Sequence, residues 1–486
     1  MSSEHSGKAG EGSESRQSSD VGASVGAPDA PEQLPFSRKV VFALGQFGWS
    51  LASYGVLNLV NYFYNPPSDG AGGRLFPIYI ASAAVLGILT AGGRLFDAVT
   101  DPLLASLSDR TKASFGRRRT FMLAGVVPFA VLGVLVFTPP SSDPGMLNVA
   151  YLFVMSFLFY LFMTMYVTPY FALMSELGHS PEERLQLSTM ISITWALGFM
   201  TGSQVYVLQE AFERIAAPEQ ALQLALSVFG AVSLVLMLLP IIAIDERRYC
   251  KQRVSEEGLL EALRTALSNR NFRMFVLSDL SYWLAITFVQ TGISFYVIML
   301  LGLSAGAASG FLLVMFVASF IFYVPIGLVA KRLGKKTVLS AAFILFMAAA
   351  GLMLSWGFLP ISPSIHGYVV MVFSALPIAI FGILPNAIVA DVAEEDGIRT
   401  GNHKAALFFG ARTLMQKVGT AITLLIFPIV TTIGGNGATV TGVRATLLLG
   451  MLGLLGGFIA FRRYDEAAVL SVVRGETDVD SAANDT

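Results

Sequence analysis

Long apolar runs alternate with short polar breaks along most of this chain. About twelve of the runs are long enough to cross roughly 30 Å of hydrocarbon, and Gly, Pro or charged residues separate them. A chain in lipid must satisfy its own backbone hydrogen bonds, and these runs are too long for barrel strands, so the pattern predicts transmembrane α-helices. The predicted spans are 39–64, 76–107, 119–139, 146–175, 188–212, 220–244, 271–301, 306–331, 336–357, 363–392, 403–434 and 440–463.

Three polar stretches set the predicted domain organisation. The N-terminal stretch is rich in Ser, Gly, Ala and acidic residues, which predicts a disordered tail. The longest internal break contains "EEGLLEALRTALSN", whose apolar residues recur at helical spacing, so we expect a connecting helix at the membrane surface or in the cytoplasm. The prediction is an all-α membrane protein with a tail at 1–36, a six-helix bundle at 37–244, a connecting segment at 245–270, a second six-helix bundle at 271–464 and a tail at 465–486.

Composition supports an integral membrane protein. Hydrophobic residues make up 54% of the chain and charged residues only 13%. A formal net charge of −1 offers no overall field for nucleic acid, and no obligate protein partner is evident. The single cysteine, Cys250, excludes an internal disulfide, and the four histidines fall in predicted tails or loops without a catalytic set around them. We therefore expect no enzyme activity and no cofactor.

Basic residues predict the orientation. Lys and Arg crowd "DRTKASFGRRR", "DERRYCKQRVSEEG", "KRLGKK" and the "FRR" after the last span, which predicts cytoplasmic termini and a multi-pass protein of the plasma (inner) membrane. A basic turn follows the second span and a similar one follows the eighth. Two six-helix halves with equivalent loops are typical of secondary transporters, although each lysine alone is sufficiently explained by topology.

Ionisable residues inside predicted spans are the strongest chemical signal. Asp97 and Asp101 lie four residues apart, so their carboxylates share one helix face and can converge on one cation. Arg94 lies on the same helix, and Lys417 has apolar sequence on both sides and needs a buried partner. The alternative is a structural salt bridge, but a charge within a span is costly enough that function is the better hypothesis.

Three stretches resemble one transporter family. They are "GGRLFDAVTDPLLASLSDRTKASFGRRR", "TPYFALMSELGHSPEERLQLS" and "ADVAEEDGIRTGNHKAALFFGARTLMQKVG". They are similar in order and spacing to the glycoside/pentoside/hexuronide:cation symporters, the melibiose permease group of the major facilitator superfamily. The resemblance covers about residues 37–464 and implies a twelve-helix symporter that moves a sugar or glycoside with sodium or a proton by alternating access.

The resemblance also implies a cation site. The site maps onto Asp97, Thr100, Asp101 and Thr164, with the carboxylates of Asp97 and Asp101 as the ligands of a sodium ion. Arg94 and Lys417 become charge partners, and Lys417 pairs with the acids when the cation is absent. Melibiose permease has an asparagine where this chain has Thr100, so the choice between sodium and proton stays open.

Solute recognition is expected to differ from that of melibiose permease. The three charged side chains that grip galactosides there fall on Ser50, Val167 and Ile191 in this chain. Sugars need several directed hydrogen bonds, so a copy of galactoside recognition is not expected. A less polar cavity also suits an amphiphile such as a lysophospholipid, and a non-transporting membrane sensor is a further alternative. The candidate solute contacts are Trp49, Ser50, Tyr54, Asn58, Tyr170, Trp195 and Trp283.

The loops on the predicted cytoplasmic side combine anions and cations. They are either solvated surface charges or an ion-pair network that closes the inward path, and the resemblance favours a gate. We predict Arg412 to be a snorkelling or gate residue and Asp279 to make a helix-end interaction. The gate candidates are Asp109, Arg110, Arg117, Arg118, Glu176, Arg184, Asp391 and Arg399.

Overall fold

The computed structural model describes residues 32–67, 76–111, 113–179, 181–250, 266–401, 405–435 and 437–474. In these ranges the regular structure is helical and contains no strand. Most of the predicted N-terminal tail, 251–265 of the connecting segment and 475–486 of the C-terminal tail lie outside the described residues.

The first half of the chain forms the helices of the N-terminal bundle. Short breaks at Leu59 and at Ser203–Gln204 divide two of its spans into a long and a short helix. The helices are α1 Phe36–Asn58, α2 Val60–Tyr64, α3 Ala83–Arg110, α4 Arg117–Leu135, α5 Met146–Leu177, α6 Pro181–Gly202, α7 Val205–Phe212, α8 Pro218–Ala243 and the short α9 Glu246–Tyr249.

The second half forms the helices of the C-terminal bundle. They are α10 Arg270–Leu301, α11 Ala305–Leu333, α12 Lys335–Leu354, α13 Pro363–Thr400, α14 Ala405–Thr431, α15 Val440–Phe461 and α16 Glu466–Val473. Across both halves, twelve segments of the described residues are helical, long and apolar enough to cross a membrane. This confirms the predicted all-α architecture with twelve spans.

Two elements extend beyond the predicted spans. Helix α13 continues to Thr400, eight residues past the predicted end of that span, so "ADVAEEDG" is helical and not a loop. Helix α16 lies in the segment predicted as a tail. The Glu466 carboxylate accepts hydrogen bonds from the backbone N–H groups of Lys335 (2.7 Å) and Lys336 (3.0 Å), and Val469 is buried. These contacts attach α16 to the start of α12.

Small residues let the helices of the N-terminal half approach closely. A Cβ added at Gly198 on α6 would overlap the Ser50 hydroxyl on α1. A Cβ at Gly202 would come within 2.6 Å of the Tyr54 ring, also on α1. Backbone contact of this kind is how helices pack where lipid supplies no hydrophobic drive.

The two halves meet at one end of the bundle. We call the end where α1 begins and α15 ends the terminal end, and the opposite end the distal end. Toward the distal end, Thr90 Oγ1 on α3 donates to the Leu424 carbonyl on α14 at 3.1 Å. One turn earlier, Gly87 lies so close to Leu425 that an added Cβ would overlap the carbonyl oxygen. Helices α3 and α14 are therefore in backbone contact here.

A second distal contact joins α7 to α11. The Glu210 carboxylate accepts the Gly306 backbone N–H at 2.6 Å, at the N-terminus of α11, where a negative charge is favourable. Ser309 Oγ also donates to the Ser203 carbonyl at 2.5 Å. These bonds hold the distal end closed.

Gly87→Leu is expected to prevent this closure, because the added side chain has no room beside Leu425. The single native cysteine is first removed by Cys250→Ala. Thr90→Cys, at a buried position of the α3–α14 contact, then serves as the reporter of closure. Labelling by a membrane-impermeant thiol reagent should be faster by about tenfold. Gly456→Leu, at a glycine with open space around it, is the control and should not change the rate. Equal labelling in both variants would contradict the closure.

Candidate cation and solute site

Asp97 lies near the middle of α3 and is 1% exposed. Arg94, three residues earlier on the same helix, donates to its Oδ2 at 3.0 Å. From α5, Thr164 donates to its Oδ1 at 2.7 Å. The carboxylate therefore has a cation and a hydroxyl donor, which offset the cost of placing it in a span.

Asp101 lies one turn further along α3 and keeps 35% of its side chain exposed. Lys417 of α14 donates to its Oδ2 at 2.5 Å and also contacts Asp97 Oδ2 at 2.8 Å. Thr168 of α5 donates to Asp101 Oδ1 at 3.3 Å. One ammonium group from the C-terminal half thus bridges two carboxylates of the N-terminal half.

The structure brings the predicted cation residues together. Thr100 Oγ1 lies 3.4 Å from Thr164 Oγ1, next to the Asp97 carboxylate. Sequence reasoning missed Thr168, although its position four residues after Thr164 on the same helix face was an available signal. The cluster holds two carboxylates, two cationic side chains and several hydroxyls, so its formal charges balance with Lys417 in place.

A second buried ion pair lies within the C-terminal half. Arg412 of α14 donates through Nε and Nη2 to the two carboxylate oxygens of Asp279 on α10, at 2.9 and 3.1 Å. Arg412 is 7% exposed and Asp279 2%. Arg412 Nη1 also donates to Asn386 Oδ1 on α13 at 2.5 Å. The prediction that Arg412 snorkels was wrong, because its guanidinium is buried against Asp279, while a gate role for Arg412 stays a prediction. The prediction of a helix-end role for Asp279 was also wrong.

The candidate solute contacts separate into two groups. Ser50, Tyr54, Asn58 and Tyr170 are buried in the packing of the N-terminal half. The Tyr170 hydroxyl donates to the Phe42 carbonyl at 2.7 Å, and Asn58 Nδ2 donates to the Tyr54 carbonyl at 3.0 Å. Ser50 Oγ donates to its own helix at Phe47, under Gly198. Three of them, Ser50, Asn58 and Tyr170, thus bond helix backbone in this state, and the role of all four as solute contacts stays a prediction.

Three tryptophans form the second group. Trp49 is partly buried, packs edge-on against the exposed Phe171, and has an indole N–H that is buried without an acceptor among the described residues. Trp195 stacks on Phe199 with ring centroids 5.5 Å apart. Trp283 lies on α10 one turn after Asp279. The Gln416 amide satisfies its hydrogen bonds when its oxygen and nitrogen are exchanged. In that orientation its oxygen accepts the Trp283 indole N–H at 3.0 Å. These partly exposed rings stay candidates.

Several of the predicted gate residues pair with one another within the N-terminal half. Glu176 of α5 accepts from Arg117 at 2.8 Å and from Arg118 at 3.0 Å, both at the start of α4. Glu246 accepts the backbone N–H of Arg118 at 3.0 Å. The ion pairs shown here lie inside the N-terminal half, so these residues connect α4, α5 and α9.

The remaining gate candidates pair within the C-terminal half, are exposed, or have side chains outside the described residues. Asp391 pairs with Lys335, and Arg399 pairs with Glu395 at 2.8 Å, both within the C-terminal half. Arg110 is exposed. The side chains of Asp109 and Arg184 lie outside the described residues. The pairs found among the described gate candidates join residues of one half, and closure of the inward path by the whole set stays a prediction.

Glu176→Gln is expected to destabilise the N-terminal half, because it leaves two buried arginines facing a neutral amide. Removal of one partner of a buried ion pair costs about 3–5 kcal/mol. The unfolding temperature in detergent should fall clearly, whereas Glu394→Gln, at an exposed position of α13, should leave it unchanged. A variant with the parent unfolding temperature and altered access to the site would support a gate role for Glu176 instead.

Twelve spans in two halves that meet through an ion cluster are typical of secondary transporters. The chain belongs to the MFS/sugar transport protein family, whose profile matches residues 41–460. This confirms the resemblance drawn from the sequence. The family consists of transporters, so the protein is a multi-pass membrane transporter of small solutes and not an enzyme.

Individual relatives are distant. An uncharacterized symporter of Synechocystis sp. is 24% identical over 478 residues, which cover 81% of this chain and 85% of the relative. The isoprimeverose transporter of Lactiplantibacillus pentosus is 23% identical over 67% of this chain and 65% of its own. The crystal structure of a D-xylose-proton symporter superposes with a TM-score of 0.63 at 17% identity, covering 89% of this chain and 98% of that one. At this identity the structural match speaks for the fold alone.

Proposed function

We propose that this protein is a symporter that couples a cation, sodium or a proton, to the uptake of a sugar or glycoside by alternating access. The observation that carries the proposal is the position of Lys417. Lys417 belongs to the C-terminal half, and its ammonium lies 2.8 Å from Asp97 and 2.5 Å from Asp101 of the N-terminal half. Occupancy of the two carboxylates is thereby linked to the contact between the halves.

The coupling follows from charge balance. A sodium ion held by Asp97 and Asp101 would take oxygen ligands from these carboxylates and from the Thr164 and Thr100 hydroxyls. A proton would neutralise one carboxylate. Either one weakens the hold of the acids on Lys417, because the cluster of two carboxylates, Arg94 and Lys417 is already neutral and an added cation or proton gives it a net positive charge. Cation loading therefore releases a contact between the halves, and two states with different contacts are what coupling requires.

The solute is placed between the halves, between the Trp49 side and the Trp283 side. The Trp49 indole N–H has no acceptor among the described residues and would offer a hydrogen bond, and both rings offer apolar faces to a sugar. The name of the isoprimeverose transporter supports a glycoside as solute. With the distal end closed, the path from this site leads to the terminal end. If the termini are cytoplasmic, as the basic loops predict, the state is inward-facing.

Uptake into proteoliposomes tests this function. An imposed sodium gradient and, separately, an imposed proton gradient are applied across a panel of labelled glycosides, including isoprimeverose, pentoses, hexuronates and one lysophospholipid. Accumulation of a sugar above its external concentration with one gradient supports the proposal and names the cation.

Two other outcomes lead elsewhere. Accumulation of the lysophospholipid alone keeps the coupling and changes the solute class to an amphiphile. Protein that is folded in the membrane and moves none of these solutes contradicts transport and favours a sensor.

A further inference from the structure

The terminal half of α13 carries an exposed stripe that does not suit lipid. Asn386, Ala390 and Glu394 are exposed at four-residue spacing, and the stripe contains an amide and a carboxylate. Near the other end of the same helix the exposed side chains include Ile365 and Val369, which are large and apolar. A polar exposed side chain within a span borders water, because lipid offers it no hydrogen bond. The exposed Asn386 amide is therefore expected to border water and not lipid.

Arg412 fixes the orientation of the Asn386 amide. Its Nη1 donates to Asn386 Oδ1 at 2.5 Å, so the amide oxygen is held toward α14 and the Nδ2 donors are directed away from it. Among the described residues, no hydrogen bond from Asn386 Nδ2 is present. The result is a polar N–H group at an exposed position within this span.

Asp279 in turn fixes Arg412. The Arg412 guanidinium donates two hydrogen bonds to the Asp279 carboxylate, from Nε at 2.9 Å and from Nη2 at 3.1 Å, and both side chains are buried. The chain from Asp279 through Arg412 to Asn386 thus ties α10, α14 and α13 together and leaves one donor facing water. A donor held in place before its ligand arrives loses little conformational freedom on binding.

We propose that Asn386 is a solute-binding residue whose Nδ2 donates to an oxygen atom of the transported solute, with Arg412 and Asp279 as its positioning residues. The inference rests on the proposed sugar transport. It adds the residue that donates a hydrogen bond to an oxygen atom of the solute. It places that residue on the C-terminal half, whereas the positions matching the galactoside contacts of melibiose permease lie in the N-terminal half. Because Arg412 precedes Lys417 by five residues on α14, the residue that positions Asn386 and the residue that contacts the cation site are on the same helix.

A cysteine experiment tests the placement without requiring transport. In the Cys250→Ala chain, Asn386→Cys should react with a water-soluble methanethiosulfonate reagent, and isoprimeverose should slow the reaction. The matched control is Ile388→Cys, at a fully buried position two residues away, which should not react. In the parent chain, burial raises the pKa of the Cys250 thiol, which keeps it unreactive and makes its replacement a mild change. An unreactive Asn386→Cys, or one that isoprimeverose does not protect, overturns the proposal.

Transport kinetics test the hydrogen bond itself. Asn386→Asp keeps the shape and the contact with Arg412 but has no N–H, so KM for isoprimeverose should rise about fivefold to tenfold with kcat within about twofold. Arg412→Lys keeps the charge and loses the fork, so it should raise KM similarly at an unchanged cation requirement. An unchanged KM in Asn386→Asp overturns the donor role.

The two proposals can fail separately. If the parent protein transports no sugar but isoprimeverose protects Asn386→Cys, the solute contact stands and the proposed symport does not. If transport is present and protection is absent, the symport stands and the role of Asn386 is excluded.

Discussion

Asp101→Asn is expected to abolish cation-driven accumulation while leaving folded protein in the membrane. The asparagine cannot hold a cation by charge, and Lys417 then keeps Asp97 as its remaining carboxylate partner at 2.8 Å. A site with one carboxylate fewer binds the cation much more weakly, so accumulation should fall by about a hundredfold or more. The measurement is uptake of labelled solute under the gradient that drives the parent protein, with membrane abundance and unfolding temperature recorded in parallel.

The matched control for this variant is Asp143→Asn. Asp143 lies on the exposed loop between α4 and α5, and the same chemical change there should leave accumulation at the parent level. Unimpaired accumulation by Asp101→Asn would remove Asp101 from the cation site. Loss of folded protein in that variant would instead indicate a structural salt bridge, which was the alternative for this cluster.

Lys417→Gln is expected to tighten cation binding and to stop driven accumulation. The ammonium occupies the place beside Asp97 and Asp101 that an incoming cation needs, so its removal takes away a competitor and leaves two carboxylates with Arg94 alone. The cation concentration, or proton concentration, that half-saturates the site should fall about tenfold or more. Accumulation should be lost because occupancy of the acids no longer changes a contact between the halves.

Thermal unfolding at increasing sodium concentration, and separately at decreasing pH, measures this affinity through the stabilisation that a bound ligand confers. Lys331→Gln, at an exposed position near the end of α11, is the control and should keep the parent midpoint. An unchanged midpoint in Lys417→Gln would mean that the lysine does not compete with the cation, and the coupling scheme would fail.

The features that sequence predicts well here are those with a large free-energy cost. A span needs an unbroken apolar run, so the twelve helices follow from the hydrophobic pattern, with errors at ends such as the extra turns of α13. Charges in a span are rare enough that Asp97, Asp101 and Lys417 stand out one by one. Their meeting across the two halves matches the expectation from the family resemblance.

The features that sequence misses are pairings and neutral groups. Asp279 and Arg412 each attract attention as charges, but nothing in the chain says that residues 133 positions apart meet. Thr168 carries no charge signal in an apolar helix. Asn386 becomes informative only once its partner and its exposure are known. Ion pairs among the gate candidates are also hard to predict from sequence. Charged loops contain many possible partners, and which of them pair depends on how the two halves are placed.

The structure connects these observations into one state of a cycle. Glu210, Ser309 and Thr90 hold the distal end closed, while the ion pairs shown at the terminal end stay within each half. Between the two ends, the Lys417 ammonium occupies the place beside Asp97 and Asp101 that the cation would take. We expect cation and solute together to be needed before the contact between α3 and α14 can change.

The measurement that tests this coupling most directly is cation movement driven by solute. In proteoliposomes with no imposed ion gradient and a sodium- or pH-sensitive dye inside, an inward gradient of the transported sugar should carry the coupling cation inward, because coupling free energy acts in both directions. The same gradient should move no cation through Asp101→Asn. Sugar entry without cation movement in the parent protein would contradict symport through the Asp97, Asp101 and Lys417 cluster.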